Sequence, residues 1–327
     1  MRGSRALALA LLLPMAAGCS SRRAQYLDVV TDLKNYAFDP ASRLEDRIGL
    51  MPGKVLDVYK QADGMPGYKA YEPSAGEKAL LLSYLRLMPA PVERIFREKC
   101  VGIYFIDGLK GNGITNWIGG RPGEIYFFVA LSRESLEKSL SETLTDRERS
   151  CFIPEKGFDV AVDAGRKYRG VAYALFHEAA HAVDYASGVT PFVEPGLPRE
   201  YSPLGRDAGG LFTSVWQAYD KPFPKDDFYQ RDKITFYGFG GGPKIPMADA
   251  GGMQMLLEKS PFVSLYGAKS WAEDLAELTA FGLLARRLGQ PYGITVTAPG
   301  GRKLEFHPMK GAASRRAAAA LKLLEAL

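Results

Sequence analysis

Histidine is almost missing from this chain of 327 residues, which has three. Cysteine is equally scarce at three, and none sits in a CxxC-type spacing, so a zinc site built from cysteines is not expected. The formal net charge is +5, yet no block of five or six like charges occurs. That describes a mildly basic surface, and no nucleic-acid partner is expected. The apolar run over residues 6–17 is too short to cross a bilayer, which takes about 20 residues. There is no internal repeat, no low-complexity tract, and no Pro/Ser-rich linker after residue 35. With 46% apolar and 24% charged residues, the composition is that of a globular protein.

The N-terminus has secretory grammar. Arg2 and Arg5 precede a short apolar core, and the small residues Ala16, Ala17 and Gly18 lead into Cys19. AAGC resembles a bacterial lipobox. This implies a signal peptide over 1–18, lipidation of Cys19, a tether over 19–35 and a lipid-anchored place in the bacterial cell envelope. Ser20 suits outer-membrane sorting in a Gram-negative cell. The mature chain would keep a formal charge of +3 and one further pair of cysteines, Cys100 and Cys151. In an oxidising compartment these are expected to form a disulfide, worth about 4 kcal/mol for a loop of about 50 residues.

Residues 36–327 read as one domain of the α+β class, with a small mixed sheet before residue 170 and a mainly helical part after it. Residues 49–73 are rich in turn signals and read as irregular. Residues 77–88 (EKALLLSYLRLM) have helical spacing. CVGIYFID (100–107), GEIYFFVAL (123–131) and FDVAVD (158–163) read as strands. Residues 132–149 read as one charged helix. Further helices are expected over 171–187, 270–288 and 312–327, separated by a Pro-, Gly- and aromatic-rich stretch over 189–252.

Two of the three histidines fall in ALFHEAAHAVDYASG. His177 and His181 are four residues apart, which on a helix is about 40° of rotation and about 6 Å of rise. Their rings share one face and can share one metal ion. Glu178 lies on the flank, where its carboxylate can reach a water without becoming a ligand. HExxH on a helix is the signature of zinc peptidases. A catalytic zinc takes three protein ligands and keeps one position open. No HxxGxxH extension follows, and His307 stands alone in LEFHP and reads as an ordinary polar residue, so the third ligand should be a carboxylate. The best source is YGAKSWAEDLAELTAFG, where Glu273 and Glu277 repeat the four-residue spacing. One can bind the metal while the other supports a histidine ring. Glu194, Glu200, Glu258 and Asp249 remain competitors.

HEAAHAVDYASG together with YGAKSWAEDLAE resembles the catalytic domain of the lethal-factor family of gluzincins, the family that includes the anthrax toxin metalloprotease. The resemblance covers about 30 residues in two blocks, and the interval of 92 positions between His181 and Glu273 is longer than expected for it. It implies a zincin-like fold holding one Zn2+, with His177, His181 and Glu273 as ligands and Glu178 as general base. It also implies Tyr266 as donor to the developing oxyanion, Glu277 as supporting carboxylate, and Asp184 as a brace for the helix or a ligand. The expected activity is peptide-bond hydrolysis on a protein or peptide substrate. The alternatives are a cell-wall peptide hydrolase, or a lipoprotein that uses the scaffold only to bind. Residues 124–131 are the candidate edge strand for an extended substrate, and residues 235–242 (TFYGFGGG) a candidate cleft rim or lid.

Overall fold

A computed structural model describes residues 29–327 apart from 204 and 206. The signal segment and Cys19 lie outside the described residues. Among the described residues no helix is long and apolar enough to cross a membrane.

The fold is mixed α and β, in agreement with the α+β expectation. Strands β1 (Ile48–Gly49), β2 (Lys69–Tyr71), β3 (Cys100–Asp107), β4 (Gly113–Gly119) and β5 (Ile125–Ser132) form one sheet in the order β1-β3-β5-β4. There β2 follows β1 along the outer side of β3. β3 and β5 run parallel, and β4 is antiparallel to β5. Short strands β6 (Phe152–Ile153) and β10 (Ile245–Pro246) pair with each other, as do β8 (Trp216–Ala218) and β9 (Lys221–Pro222). β7 (Asp159–Asp163), β11 (Gly293–Thr297) and β12 (Lys303–Phe306) make a second antiparallel sheet. The C-terminal part is therefore less purely helical than the composition implies.

β5 corrects the reading of residues 124–131 as the substrate edge. It has a partner on both sides and is buried on both faces. Phe127, Val129 and Leu131 enter the main core under the histidine helix, while Phe128 and Ala130 enter a second core with α1 (Gly53–Asp63). A strand covered on both faces reads as an unbroken apolar run, which is what FFVAL is. The edge is β4, whose sequence GITNWIG has too little apolar alternation to declare itself.

α1 and β2 also correct the reading of residues 49–73 as irregular. Val55, Leu56 and Tyr59 bury one helical face, and Gly64 ends the helix in the left-handed conformation at φ +65°. α2 (Ala75–Leu85) starts at a capping box of Ser74 and Glu77. α3 (Ala90–Lys99) leads directly into β3. The charged segment 132–149 is two helices, α4 (Glu134–Glu137) and α5 (Leu140–Ser150), because a second capping box at Ser139 and Glu142 restarts it.

The histidine helix α6 (Gly170–Ser187) packs across β5 and β4 and against α5 and α8 (Trp271–Phe281). Nearly all of it is buried, which its run of alanines and apolar residues permits. Gly188, at φ +64°, donates its N–H to Asp184 O at 2.8 Å and stops the helix. α7 (Ala250–Lys259) packs on β11 and β12. α8 passes into a π-helical turn over Gly282–Arg287, where the backbone comes close to α9 (Gly311–Glu325).

The expected disulfide is not formed. Cys100 and Cys151 are separate buried thiols in the main core. Cys100 Sγ lies 3.3 Å from Gly102 O, and Cys151 has its own backbone partner at Thr235. Burial pushes the Cys100 thiol up to about 12 and raises that of Cys151 as well, so neither offers a thiolate for exchange.

Candidate metal centre and active site

α6 and α8 pack side by side and turn their acid and imidazole faces toward each other. Three donor atoms converge. His177 Nε2 is 3.2 Å from Glu273 Oε2, His181 Nε2 is 3.7 Å from the same oxygen, and the two Nε2 atoms are 3.3 Å apart. Four-coordinate zinc with ligands at about 2.0–2.1 Å puts them about 3.3–3.4 Å from one another. Glu273 Oε2 is also buried without a hydrogen-bond partner. An acid oxygen with no donor, facing two ring nitrogens at ligand spacing, fits a divalent cation. Among the described residues, His177, His181 and Glu273 are the group that could hold a metal ion.

The supporting groups fix the imidazole of His177. Its Nδ1 lies 2.8 Å from Glu277 Oε1, and a carboxylate there only accepts, so Nδ1 carries a proton and Nε2 is the nitrogen that a metal would meet. Glu277 is held by three more donors: Tyr173 Oη to Oε1 at 2.7 Å, Arg147 Nη1 to Oε2 at 2.6 Å and Ser264 Oγ to Oε2 at 2.5 Å. Arg147 is fully buried and also donates to Tyr173 Oη and to Glu148 Oε1, which in turn accepts from Gln254 through its other oxygen. Burial opposes the charge on Glu277, but Arg147 and the His177 hydrogen bond bring its carboxyl down to about 2. Glu273 is likewise held well below the usual carboxylate range, against its burial, by the two imidazoles that face it. Burial would lower His177; the facing Glu273 carboxylate and the hydrogen bond to Glu277 outweigh it and raise the metal-free ring to about 10.

Glu178 is buried between α6 and β4 and accepts a hydrogen bond from Thr115 Oγ1 at 2.7 Å. Burial raises its carboxyl above the usual value, against the pull of His177 and His181. Gly113 is required here: a Cβ would stand 2.6 Å from Glu178 Cγ. The Tyr266 ring packs 5.4 Å from that of His177, with its phenol raised by burial and by the nearby Glu273. Phe236 and Tyr237 stack edge-on against Tyr266 at 4.9 and 6.4 Å, and Asn112 Nδ2 donates to Tyr237 Oη at 2.7 Å. The glycine-rich stretch 235–242 is thus a wall of the site, fixed to the loop before β4.

Asp184 lies outside the group that could hold a metal. It accepts from Thr190 N and Oγ1 and closes the turn after α6. The competing acids are elsewhere too: Glu258 accepts from His307 N, Asp249 from Gln230, and Glu200 is exposed on a short 3-10 turn. His307 itself is exposed beyond β12. Glu194 lies near His181 but outside the ligand group. Sequence reasoning missed Arg147, Glu148, Tyr173 and Ser264. The spacing of Arg147 and Glu148 within a charged helix carries no sign that both are buried, whereas Tyr173, one helical turn before His177, shares its face and could have been found. No family model, no curated protein and no solved structure matches the chain.

Proposed function

We propose that this chain is a zinc-dependent metallopeptidase of the gluzincin type, held at the cell envelope by a lipid on Cys19, acting on protein or peptide substrates. The observation that carries the reading is the position of Glu178. Its carboxylate stands beside the ligand pair and is held by Thr115 on the open edge strand, so it neither ligates nor supports a histidine. A site that only stores a metal has no use for a buried acid there.

Zinc bound by His177, His181 and Glu273 supplies a Lewis acid that makes water a nucleophile near neutral pH. Glu178 accepts the proton of the attacking water and delivers it to the leaving amine. Its raised pKa and the Thr115 hydrogen bond suit a group that takes a proton and gives it back. Glu277 keeps His177 in one tautomer throughout, with Arg147 holding Glu277 charged. Tyr266 donates to the carbonyl oxygen as it gains charge, a contribution of about 3 kcal/mol for one such donor.

The β4 edge supports an extended peptide. Gly119 N donates outward to Thr31 O, away from β5. Backbone groups alternate sides along a strand, so those of Gly113, Thr115 and Trp117 face the same way, over Glu178. The test is metal analysis and peptidase assay of the wild type beside Glu178→Gln. The variant should keep one equivalent of zinc and lose at least about a hundredfold in kcat. Zinc binding without hydrolysis of any protein, peptide or muropeptide by the wild type would leave a binding lipoprotein instead.

A further inference from the structure

Glu194 lies on the loop after the histidine helix, and the metal site does not use it. Its Oε2 accepts from Tyr185 Oη at 3.0 Å, and its carboxyl also meets the Trp117 side chain. Tyr185 is one helical turn past His181. Trp117 is two residues past Thr115 on the edge strand. The odd-numbered side chains of β4 share the face toward α6: position 113 abuts Glu178, Thr115 bonds Glu178 and Trp117 meets Glu194. Strand and helix run past each other in the same direction. Trp117, which meets Glu194, is therefore one side-chain step along β4 from Thr115, which holds Glu178, about 7 Å of extended chain.

Apart from Glu178, the other acids around the site have counter-charges or a full set of donors. Glu273 faces two histidines, Glu277 and Glu148 share Arg147, Asp274 pairs with Arg316, and Asp184 is satisfied by Thr190. Glu194 forms no ion pair with a lysine or arginine among the described residues. It is half-buried, so one side remains open. Burial raises its carboxyl, against the pull of Tyr185, His181 and Trp117. Trp117, Tyr185, Val193, Leu197 and Tyr201 form an apolar cluster around it. A partly exposed acid flanked by aromatic side chains suits a long stem that carries a positive head.

We propose that Glu194 determines specificity in a subsite for a cationic substrate side chain, lysine or arginine, within two residues of the scissile bond. This rests on the metallopeptidase reading and narrows its substrates to basic peptides. The test scans Lys, Arg, norleucine and Glu through each position of a fluorogenic peptide, with the zinc-loaded full chain and its Glu194→Gln variant. At one position near the cleaved bond the wild type should favour Lys or Arg over norleucine by at least about tenfold in kcat/KM. In Glu194→Gln that ratio should fall toward one, with zinc content unchanged. No preference for a basic residue, or a preference that survives in Glu194→Gln, overturns the proposal. A binding measurement separates its failure from failure of the peptidase reading. Zinc-loaded Glu178→Gln should bind the lysine peptide at least about tenfold tighter than its norleucine analogue, and Glu178→Gln/Glu194→Gln should not discriminate. Equal binding of both peptides by the single variant also overturns it, whether or not the wild type cleaves.

Discussion

Arg147→Met is the sharpest test of how the centre is built. Arg147 has no exposed surface and sits between two buried carboxylates, 2.6 Å from Glu277 and 2.8 Å from Glu148, with its guanidinium over the rings of Tyr173 and Phe281. Methionine fills much of the volume but removes the one cation that both acids contact among the described residues. Glu148 already has a raised pKa through burial and can take up a proton. Glu277 cannot do so without surrendering its grip on His177. Removing one partner of a buried pair costs about 3–5 kcal/mol, mainly from the charge left behind. At roughly 2 °C per kcal/mol for a domain of this size, the metal-free protein should melt about 6–10 °C lower. Loss of one of the four donors on Glu277 should also weaken metal affinity by about 10–100-fold. Thermal unfolding of the metal-free protein and chelator competition read these separately. Arg147→Met/Glu148→Gln, with one acid fewer to strand, should recover part of the stability. A single variant within 2 °C of the wild type that binds metal equally well would refute this account of the network.

Glu273→Ala should abolish tight metal binding, while Glu277→Ala should keep a weakened site, about 10–100-fold poorer by chelator competition. The metal-free His177 ring titrates at about 10, so at neutral pH a cation must displace its proton. Metal affinity should therefore rise with pH below that value, by about tenfold per unit for one proton displaced, and calorimetry in buffers of different ionisation enthalpy should show proton release. An affinity flat between pH 6 and 8 contradicts this. Cys100 and Cys151 should be silent to a thiol reagent in the folded protein and both titrate after unfolding without reductant; a disulfide would leave neither.

HEAAH placed two imidazoles that could share a metal ion, and an acid beside them, from spacing alone, because a helix of fixed pitch converts a four-residue interval into a shared face. The same arithmetic selected the Glu273 and Glu277 pair, and Gly188 marked the end of the histidine helix. Helix and strand positions were legible wherever the apolar period was strong, as in 100–107 and 312–327. They were misread where turn residues masked a short amphipathic segment, as in 53–63. The partners that lie far apart in sequence were not legible. Nothing local in DRER tells Arg147 that it will be sealed against Glu277, 130 positions on, or tells β4 that it will be the edge. Cysteine count argued for a bridge that is not formed, since both thiols lie buried and unbridged in the main core. The sequence by itself determined which residues share a helix face, since that follows from backbone geometry within one turn. Tertiary packing alone decided which acid meets the histidines, which meets the arginine and which is left facing the cleft, because those outcomes depend on desolvation and on contacts made across the fold.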